Sequence, residues 1–367
     1  MPIGILTVSL QAPLLQPKER QLLAHSTVGG VVLFKENWAE GEEDPKAVLK
    51  SLIAEIRSIN PNLIIMVDQE GGKVWRFGQG FSKLPAAKIY GELYDQGGAD
   101  KALRYAYEQG YLMADELLAC DIDLALAPVV DLEGDSRVIA GLARAFHRDP
   151  QIVVDIAEQF IRGMNTAGMP ATIKHFPGHG TCQLDSHLTK TIDERGCIEL
   201  QKDLLPFKAL VEKKLELAVM SNHVIYPAVD NENSAGFSQT WLKGCLRMGC
   251  GFDGLIMSDC LSMKGADIGT LFERIQKAQK AGHDLILMTH QHHKNLEELL
   301  GILDDIPDSQ DAVARRERFM GTIKRRKVLS SLQERNISFE ETPAKIYQAS
   351  LKSGQKNDHY NTHKGII

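Results

Sequence analysis

Short apolar runs alternate with amphipathic stretches along most of this chain. The runs are almost continuously apolar, which is typical of parallel strands buried on both faces. They are Ile3–Leu10, Gly30–Phe34, Leu63–Asp68, Leu124–Pro128, Ala171–His175, Leu217–Ser221, Gly254–Asp259 and Asp284–Met288. The stretches between them have a helical period, as in Pro45–Ser58, Ile152–Thr166, Leu200–Lys213, Ser238–Arg247 and Ile268–Ala281. This alternation predicts an α/β fold.

Two architectures fit such an alternation. In a (β/α)8 barrel, about 250 residues form eight parallel strands, each followed by a helix. A doubly wound sheet usually has a glycine-rich fingerprint directly after its first strand, and Ile3–Pro13 has none. We therefore predict a single (β/α)8 TIM-like barrel over residues 1–335. Residues 336–367 are expected to form a helix near Pro343–Leu351 and a polar tail.

The predicted loops differ in length at the two ends of the strands. The link Ala281–His283, which precedes the eighth strand, is short. The long links all follow strands: Gln69–Asp100, Val129–Asp149, Phe176–Ile198 and Asn222–Phe237. Loops longer than about 12–15 residues in a compact domain usually carry function, and barrel enzymes place their chemistry at the carboxyl ends of strands. The loop pattern therefore predicts an enzyme.

Composition narrows the class of protein. The 367 residues are 43% hydrophobic and 25% charged, as in ordinary globular enzymes. A formal net charge of −6 provides no basic field for nucleic acid, and no run of about 18 apolar residues predicts a membrane span. The first ten residues lack the features of a signal peptide. The six cysteines are scattered, which favours neither disulfides nor structural zinc, so we expect a cytoplasmic location.

Polar side chains gather where several predicted strands end. Asp68 ends the third strand, Lys174 and His175 end the fifth, and Asp259 ends the seventh. A single carboxylate in such a place commonly ties down a loop. Three strand ends of this kind at one barrel mouth favour a polar pocket for a ligand with many hydroxyl groups.

The loop after the fifth strand carries Asp185 and His187, two positions apart. A carboxylate can orient an imidazole, whose unperturbed pKa lies near neutrality, so this pair is suited to proton transfer. A salt bridge within the loop is the structural alternative, and the residues alone do not decide between the two.

Three parts of the sequence together resemble glycoside hydrolase family 3, and most closely its bacterial β-N-acetylglucosaminidases of peptidoglycan recycling. They are Asp68–Gly72, Lys174–Gly180 with Asp185–His187, and Ser258–Met263. Further similar stretches keep the family's order from about Leu6 to Met288. There are departures as well: Cys260, Lys73 and Trp75 stand where the family usually has Asp, Arg and Gln.

The resemblance implies the chemistry of a retaining glycosidase. Asp259 would be the nucleophile, His187 the acid/base group, and Asp185 the carboxylate that orients His187. The residues implied to contact the substrate are Asp68, Arg76, Arg144, Lys174 and His175. Charged partners strengthen hydrogen bonds to sugar hydroxyls.

The resemblance also implies a branch of the family. Relatives that cleave β-glucosides are typically longer and take an acid/base glutamate from a second domain, which we do not expect here. The implied activity is removal of terminal non-reducing N-acetylglucosamine (GlcNAc) from GlcNAc-1,6-anhydro-N-acetylmuramic acid muropeptides. We expect a cytoplasmic monomer that needs no cofactor or metal and binds neither nucleic acid nor membrane.

Three alternatives remain open at this point. A metal-dependent hydrolase could use His175, His179, Asp185 and His187 as ligands, although Lys174 beside them would repel a divalent ion. A sugar-binding barrel without catalysis would have no need for the nucleophile and the Asp-Ser-His loop. In a substrate-assisted mechanism the acetamido oxygen of the sugar would attack, and Asp259 would only orient it.

Overall fold

The computed structural model of the chain describes residues 2–182, 191–289 and 293–332. Its central elements are parallel strands, each followed by helical structure, which confirms the α/β fold. The strands are β1 (Leu6–Ser9), β2 (Val28–Leu33), β3 (Ile64–Val67), β4 (Leu124–Ala125), β5 (Ala171–Phe176), β6 (Leu217–Ser221), β7 (Leu255–Ser258) and β8 (Ile286–Met288). Every predicted run overlaps one of them.

The strands form two parallel sheets. One has the order β8-β1-β2-β3-β4 and the other the order β7-β6-β5. Two parallel bridges outside the named strands join the sheets, one between Val129 and Lys174 and one between Met257 and Leu285. All the strand carboxyl ends therefore lie on one side of the molecule.

Helices cover the outer faces of these sheets. They are α1 (Pro17–Ala24), α2 (Pro45–Ile59), α3 (Ala87–Asp95), α4 (Ala99–Leu118), α5 (Pro150–Ala167), α6 (Cys197–Glu212), α7 (Leu271–Ala281), α8 (His293–Ile302) and α9 (Gln310–Leu332). A π-helix spans Thr240–Gly249. Short 3-10 turns occupy Lys35–Asn37, Ala140–Leu142, Ala235–Phe237, Lys264–Ala266 and Leu303–Asp305.

The ends of α5 show how the sequence sets these bounds. The Asp149 side chain accepts hydrogen bonds from the backbone N–H groups of Gln151 and Ile152, which satisfies donors that have no partner inside the helix. Pro150 occupies the first turn, where its missing N–H costs nothing. Gly168 ends the helix at φ +104°, a conformation that disfavours residues with a Cβ atom.

Alternating side chains of the strands build two cores. In β3, Ile65 and Val67 pack with the helices, whereas Ile64 and Met66 join an inner cluster between the strands. Three residues of α9 also belong to this inner cluster: Phe319, Met320 and Ile323. Because α9 contacts the residues that precede the strands, it covers the end of the inner core opposite the strand carboxyl ends.

The loops contain more structure than the sequence pattern indicates. Strands Gln69–Gly71 and Val74–Trp75 pair antiparallel directly after β3, and α3 also lies within the predicted link Gln69–Asp100. After β6, Val224–Tyr226 pairs with both Asp230–Ser234 and Thr191–Ile192. The expected helix near Pro343–Leu351 and the boundary between residues 335 and 336 lie outside the described residues.

Candidate active site

Lys174 connects the carboxyl ends of β3 and β5. Its Nζ lies 2.7 Å from Asp68 Oδ1 and 2.7 Å from Glu70 Oε1. The Lys174 side chain is buried, with 2% exposed, and Asp68 retains 17%. A buried ammonium group is tolerated only where carboxylates compensate for its lost hydration, so these three residues hold each other in position.

Arg144 extends this group on the other side of Glu70. Its Nε and Nη2 donate to the two carboxylate oxygens of Glu70 at 2.7 and 2.8 Å, a two-pronged contact that fixes orientation as well as distance. Nη1 donates to the carbonyl of Val138 at 3.1 Å. Nη2 also lies 3.5 Å from His175 Nε2, so the guanidinium group joins the carboxylate to the imidazole.

Asp131 holds the other edge of the His175 ring. Its Oδ2 lies 2.7 Å from His175 Nδ1, and its Oδ1 accepts the backbone N–H groups of His175 and His179 at 3.1 and 2.8 Å. One buried carboxylate thus fixes an imidazole and the backbone turn that follows it. The orientation of His175 follows from this contact.

Arg76 approaches Asp68 from the hairpin that follows β3. Its Nη2 lies 3.7 Å from Asp68 Oδ2, and its backbone N–H donates to Gln69 Oε1 at 2.8 Å. These ion pairs and hydrogen bonds connect seven side chains, which we call the site network: Asp68, Glu70, Arg76, Asp131, Arg144, Lys174 and His175.

The site network keeps its carboxylates ionised despite their burial. Burial alone would raise the pKa of Asp68, but the charges of Lys174 and Arg76 hold that pKa below its usual range. The pKa of Glu70 is likewise lowered against its burial by Arg144 and Lys174. Burial would lower the pKa of Lys174, and the two carboxylates raise it instead. A ligand entering this region therefore meets fixed charges at neutral pH.

His179 lies just beyond the network and carries no charge at neutral pH. Burial and the neighbouring His175 lower its pKa to about 4, against a weaker effect of Asp131. Asp259 also contributes electrostatically to this group, so the turn after β5 lies within reach of the end of β7.

Asp259 follows β7 directly, and its backbone is held on both sides. Its N–H donates to the carbonyl of Ser221 at 3.0 Å, and its carbonyl lies 3.2 Å from His223 Nε2. Its side-chain Oδ1 accepts the N–H of Cys260 at 2.8 Å. The half-buried carboxylate stands one strand away from His175, because β6 separates β5 from β7.

The Cys260 thiol ties this turn to the end of β8. Its Sγ accepts backbone N–H groups from Ser262 and Thr289, both at 3.3 Å. Burial raises the pKa of the thiol, although these hydrogen bonds oppose the rise. Cys260 therefore remains a neutral thiol that packs behind the Asp259 turn.

The structure brings together all five residues that the sequence predicts to contact substrate: Asp68, Arg76, Arg144, Lys174 and His175. Asp259 lies at the end of β7, which β6 separates from β5. Asp185 and His187 lie outside the described residues, so their predicted roles stay predictions.

Sequence reasoning missed Glu70 and Asp131 as members of the site. Both lie within stretches that resemble the family, and each follows a predicted strand end by two or three positions. The signal that could have identified them is charge balance, because a buried lysine and a buried arginine need more than one carboxylate. Glu70 supplies the second carboxylate for Lys174 and Arg144, and Asp131 supplies one for His175.

Two general properties of the described residues bear on function. No group of three or more His, Cys, Asp or Glu side chains in this part of the chain is arranged to hold a metal ion. Two of the candidate ligands, Asp185 and His187, lie outside it, so the metal-dependent alternative still needs a chemical test. Within the same part of the chain, no helix combines the length and apolar character needed to cross a membrane.

Comparison with known proteins identifies relatives over most of the chain. Residues 7–319 match the Glycosyl hydrolase family 3 N terminal domain. A β-hexosaminidase of Thioalkalivibrio sulfidiphilus is 42% identical over 324 residues, which cover 88% of this chain and 90% of the relative. A β-hexosaminidase of Hydrogenovibrio crunogenus is 45% identical over 292 residues, covering 78% and 79%.

Solved structures give the same result. NagZ from Neisseria gonorrhoeae, in complex with N-trifluoroacetyl-D-glucosamine, superposes with a TM-score of 0.78 at 36% identity, covering 90% of this chain and 98% of NagZ. A family 3 β-N-acetylglucosaminidase from a Paenibacillus species has a TM-score of 0.78 at 28% identity, covering 95% and 66%. The chain therefore belongs to glycosyl hydrolase family 3 and is a glycoside hydrolase of the β-hexosaminidase type.

Proposed function

We propose that this enzyme removes single terminal GlcNAc residues from GlcNAc-1,6-anhydro-N-acetylmuramic acid muropeptides with retention of configuration. The observation that carries the proposal is the position of Asp259 on the same side of the strands as the site network. This carboxylate, at the end of β7, lies close enough to the turn after β5 to act electrostatically on His179. That arrangement suits attack on a sugar whose hydroxyl groups are held by the charges of the site network.

Asp259 acts as the nucleophile. In a retaining glycosidase, a carboxylate oxygen bonds to the anomeric carbon while the bond to the leaving oxygen breaks, and water later releases the sugar. Hydrogen bonds to its backbone from two directions and to its Oδ1 support this role, because an attacking group must be held close to its attack geometry.

His187 protonates the leaving oxygen and then takes a proton from water, and Asp185 orients its ring. The described residues on both sides of this pair support its location. Thr181 Oγ1 donates to Asp193 Oδ2 at 3.0 Å, so the residues on the two sides of this pair contact each other near the end of β5.

The site network binds the sugar. Its lysine, arginines and carboxylates offer donors and acceptors in fixed positions, which lowers the cost of ordering them when a ligand enters. Asp68, Arg76, Arg144, Lys174 and His175 contact hydroxyl groups. Glu70 and Asp131 hold these contacts in place from behind.

We further propose that the eight strands close into a (β/α)8 barrel comprising residues 1–335, a cytoplasmic monomer in which residues 336–367 form a separate C-terminal helix and tail. The bridges from Val129 to Lys174 and from Met257 to Leu285 support the closure. So do the hydrogen bonds from Thr172 N to Ala127 O and from Ser258 N to Leu285 O, at 2.9 and 3.0 Å.

The test compares a defined GlcNAc-1,6-anhydro-N-acetylmuramic acid disaccharide with an aryl β-N-acetylglucosaminide and an aryl β-glucoside. The first two should be cleaved, and the β-glucoside should be a poor substrate. Asp259→Ala should lower kcat by about 10⁴-fold or more. Asp253→Ala is the matched control, because this exposed carboxylate precedes β7 whereas Asp259 follows it. Cleavage of the β-glucoside alone would refute the proposal.

Trapping distinguishes direct from substrate-assisted attack. A 5-fluoro glycosyl fluoride of GlcNAc should leave a covalent adduct on Asp259, detectable by mass spectrometry of peptides. An enzyme that cleaves GlcNAc but yields no adduct, and is instead inhibited by a thiazoline analogue, would assign the nucleophile to the substrate's acetamido group. Activity that persists in EDTA would exclude the metal-dependent alternative.

A further inference from the structure

Two consecutive residues after β6 contact opposite halves of the site. We propose that Asn222 and His223, which we call the β6 fork, separately position the two catalytic segments. Asn222 holds the turn that leads from β5 toward the acid/base pair, and His223 holds the nucleophile. The inference rests on the proposed function, and its test is separable from the test of that function.

The Asn222 side chain is completely buried and bonds to the turn after β5. Its Nδ2 donates to the carbonyl of His175 at 3.1 Å and lies 3.3 Å from that of Gly178. The same Nδ2 donates to Tyr226 Oη at 2.8 Å, and the Tyr226 hydroxyl in turn donates to the carbonyl of Gly178. The backbone N–H of Asn222 donates to Phe176 O at 2.9 Å. Carbonyls at three positions of one turn are thus held from a single direction.

His223 points toward β7. Its Nε2 lies 3.2 Å from the carbonyl oxygen of Asp259, and because a carbonyl only accepts, Nε2 carries the proton in this contact. The ring lies 5.3 Å from that of Phe237. A Cβ atom at Gly236 would come within 2.6 Å of the imidazole, so a residue without a side chain makes room for it.

The two contacts have different consequences for catalysis. The Gly178 turn leads directly to residues 179–182 and then to the sequence that carries Asp185 and His187. Displacing that turn would misplace the proton donor, and a misplacement of about 1 Å can cost about 10²-fold in rate. Displacing the Asp259 backbone would instead affect bond formation at the anomeric carbon, whatever the leaving group.

The test measures kcat/KM on two aryl β-N-acetylglucosaminides, one with a 2,4-dinitrophenyl and one with a 4-methoxyphenyl leaving group. Tyr226→Phe and Asn222→Asp both remove donors to the Gly178 turn. Each should lower kcat/KM by about 10–10²-fold on the methoxyphenyl substrate. For Tyr226→Phe the loss on the dinitrophenyl substrate should be less than about threefold, because that leaving group needs little protonation. For Asn222→Asp it should be smaller than on the methoxyphenyl substrate, although Asn222 also bonds to the carbonyl of His175 in the site network. Tyr226→Phe keeps the buried ring, so it protects the test against a folding defect in the other variant.

His223→Leu removes the donor to Asp259 and should lower kcat/KM on both substrates by a similar factor, about 10-fold or more. His223→Gln places an amide donor near the position of Nε2 and should restore most of the activity. Rescue by glutamine is a result that a merely space-filling role would not give.

Asn165→Asp is the matched control. Asn165 is also a buried asparagine whose Nδ2 donates to a carbonyl, that of Met169 at 3.1 Å, but it lies before β5. This variant should keep both kinetic constants once the folded fraction is measured. Equal losses on both substrates for Tyr226→Phe and Asn222→Asp, or a failure of glutamine to rescue His223→Leu, would overturn the inference. If wild-type enzyme forms the adduct on Asp259, these outcomes leave the proposed function intact.

Discussion

Two networks of buried charge lie at opposite ends of the strands in this enzyme. The site network is at the carboxyl ends. At the amino ends lie two separate groups, which together we call the staple network: Arg57, Asp123 and Lys327 form one, and Arg247, Asp284 and Arg315 form the other. Of its two carboxylates, Asp123 directly precedes β4, and Asp284 lies two positions before the start of β8. Both networks therefore use the same chemical groups.

The difference lies in what the carboxylates contact. Asp284 Oδ2 accepts the backbone N–H of Ile256 at 2.8 Å as well as Arg247, and Oδ1 accepts Arg315 at 2.6 Å. Asp123 Oδ2 similarly accepts the N–H of Ile65 at 2.8 Å. The contacts described for Asp68 run instead to side-chain cations.

The exposed fraction of the carboxylate side chains also differs between Asp68 and the two staple carboxylates. The side chains of Asp284 and Asp123 are 0% and 3% exposed, whereas that of Asp68 is 17% exposed. The staple carboxylates bond to backbone amides of strands and to cations of helices, and so fasten strands to helices. Within the site network, the fully buried Asp131 likewise fastens the turn after β5, whereas Asp68 bonds to side chains at an accessible edge and remains available to a ligand. Burial of charge alone therefore does not mark a catalytic site; the partners distinguish the two cases.

The largest expected effect comes from breaking the staple network. Asp284→Asn would leave Arg247 and Arg315 without their buried partner, which should lower the free energy of unfolding by about 3–5 kcal/mol. Urea denaturation measures this change. The kcat/KM value per folded molecule should stay near that of the wild type, and a selective loss of activity would contradict the division of roles.

Acidification should lower the free energy of unfolding through two buried imidazoles. That of His179 lies beside the site network, and that of His283 precedes Asp284 of the staple network in the sequence. Burial is the main cause that lowers the pKa of His179, to about 4, and of His283, to about 3, from 6.5. Below pH 6.5 the unfolded chain therefore binds protons that the folded chain does not. The free energy of unfolding consequently decreases as the pH is lowered. The loss should approach about 3 kcal/mol for His179 and about 5 kcal/mol for His283, and it should end near pH 4 and near pH 3, respectively.

The measurement is urea denaturation at a series of pH values from 7 downward. His283→Gln should flatten the dependence in this range, since glutamine does not titrate. Below about pH 4 the lowered pKa values of Asp68 and Glu70 add a further loss, because their contribution exists only while they are ionised. A free energy of unfolding that stays constant from pH 6.5 to pH 4.5 would contradict the neutral state of both imidazoles.

Arg144→Lys should affect activity more than stability. Lysine keeps the charge but cannot make the two-pronged contact with Glu70, so kcat/KM should fall by about 10²-fold. The free energy of unfolding should change less than in Asp284→Asn. Steady-state kinetics and urea denaturation of the same preparation test both statements, and the reverse order of effects would contradict them.

The smallest effect should come from an exposed ion pair on the same helix that carries Arg315. Arg318 Nη2 lies 3.2 Å from Asp253 Oδ2, with side chains 57% and 85% exposed. Asp253→Asn should change the free energy of unfolding by less than about 0.5 kcal/mol. A larger change would mean that the helix is held by its surface charges and not by the buried ones.

The sequence was a good guide wherever a local pattern determines the structure. Continuous apolar runs located β1 to β8, and the bounds of β6 match the prediction. The polar groups at the ends of β3 and β5 were recognisable because parallel strands bring their carboxyl ends to one side. That inference needed only the strand assignment.

Other features depend on contacts distant in sequence. The predicted helix Ser238–Arg247 is a π-helix beginning at Thr240, and the hydrogen bond from Cys250 N to Cys245 O that ends it leaves no mark in an amphipathic pattern. Glu70 and Asp131 were missed because position in the chain does not reveal which cation a carboxylate faces. The role of α9 was hidden because its buried Arg316 looks like a surface residue.

Arg316 also has a consequence for synthesis. Its Nε donates to the carbonyl of Ile3 at 2.8 Å and its Nη1 to that of Asp284 at 2.7 Å, so it joins the residues before β1 to a helix that is made 313 residues later. While the polypeptide is still emerging from the ribosome, the end of the inner core that α9 covers stays exposed until α9 has been made. Completion of the fold is thereby delayed until translation has passed this helix, and the nascent chain depends until then on protection from aggregation.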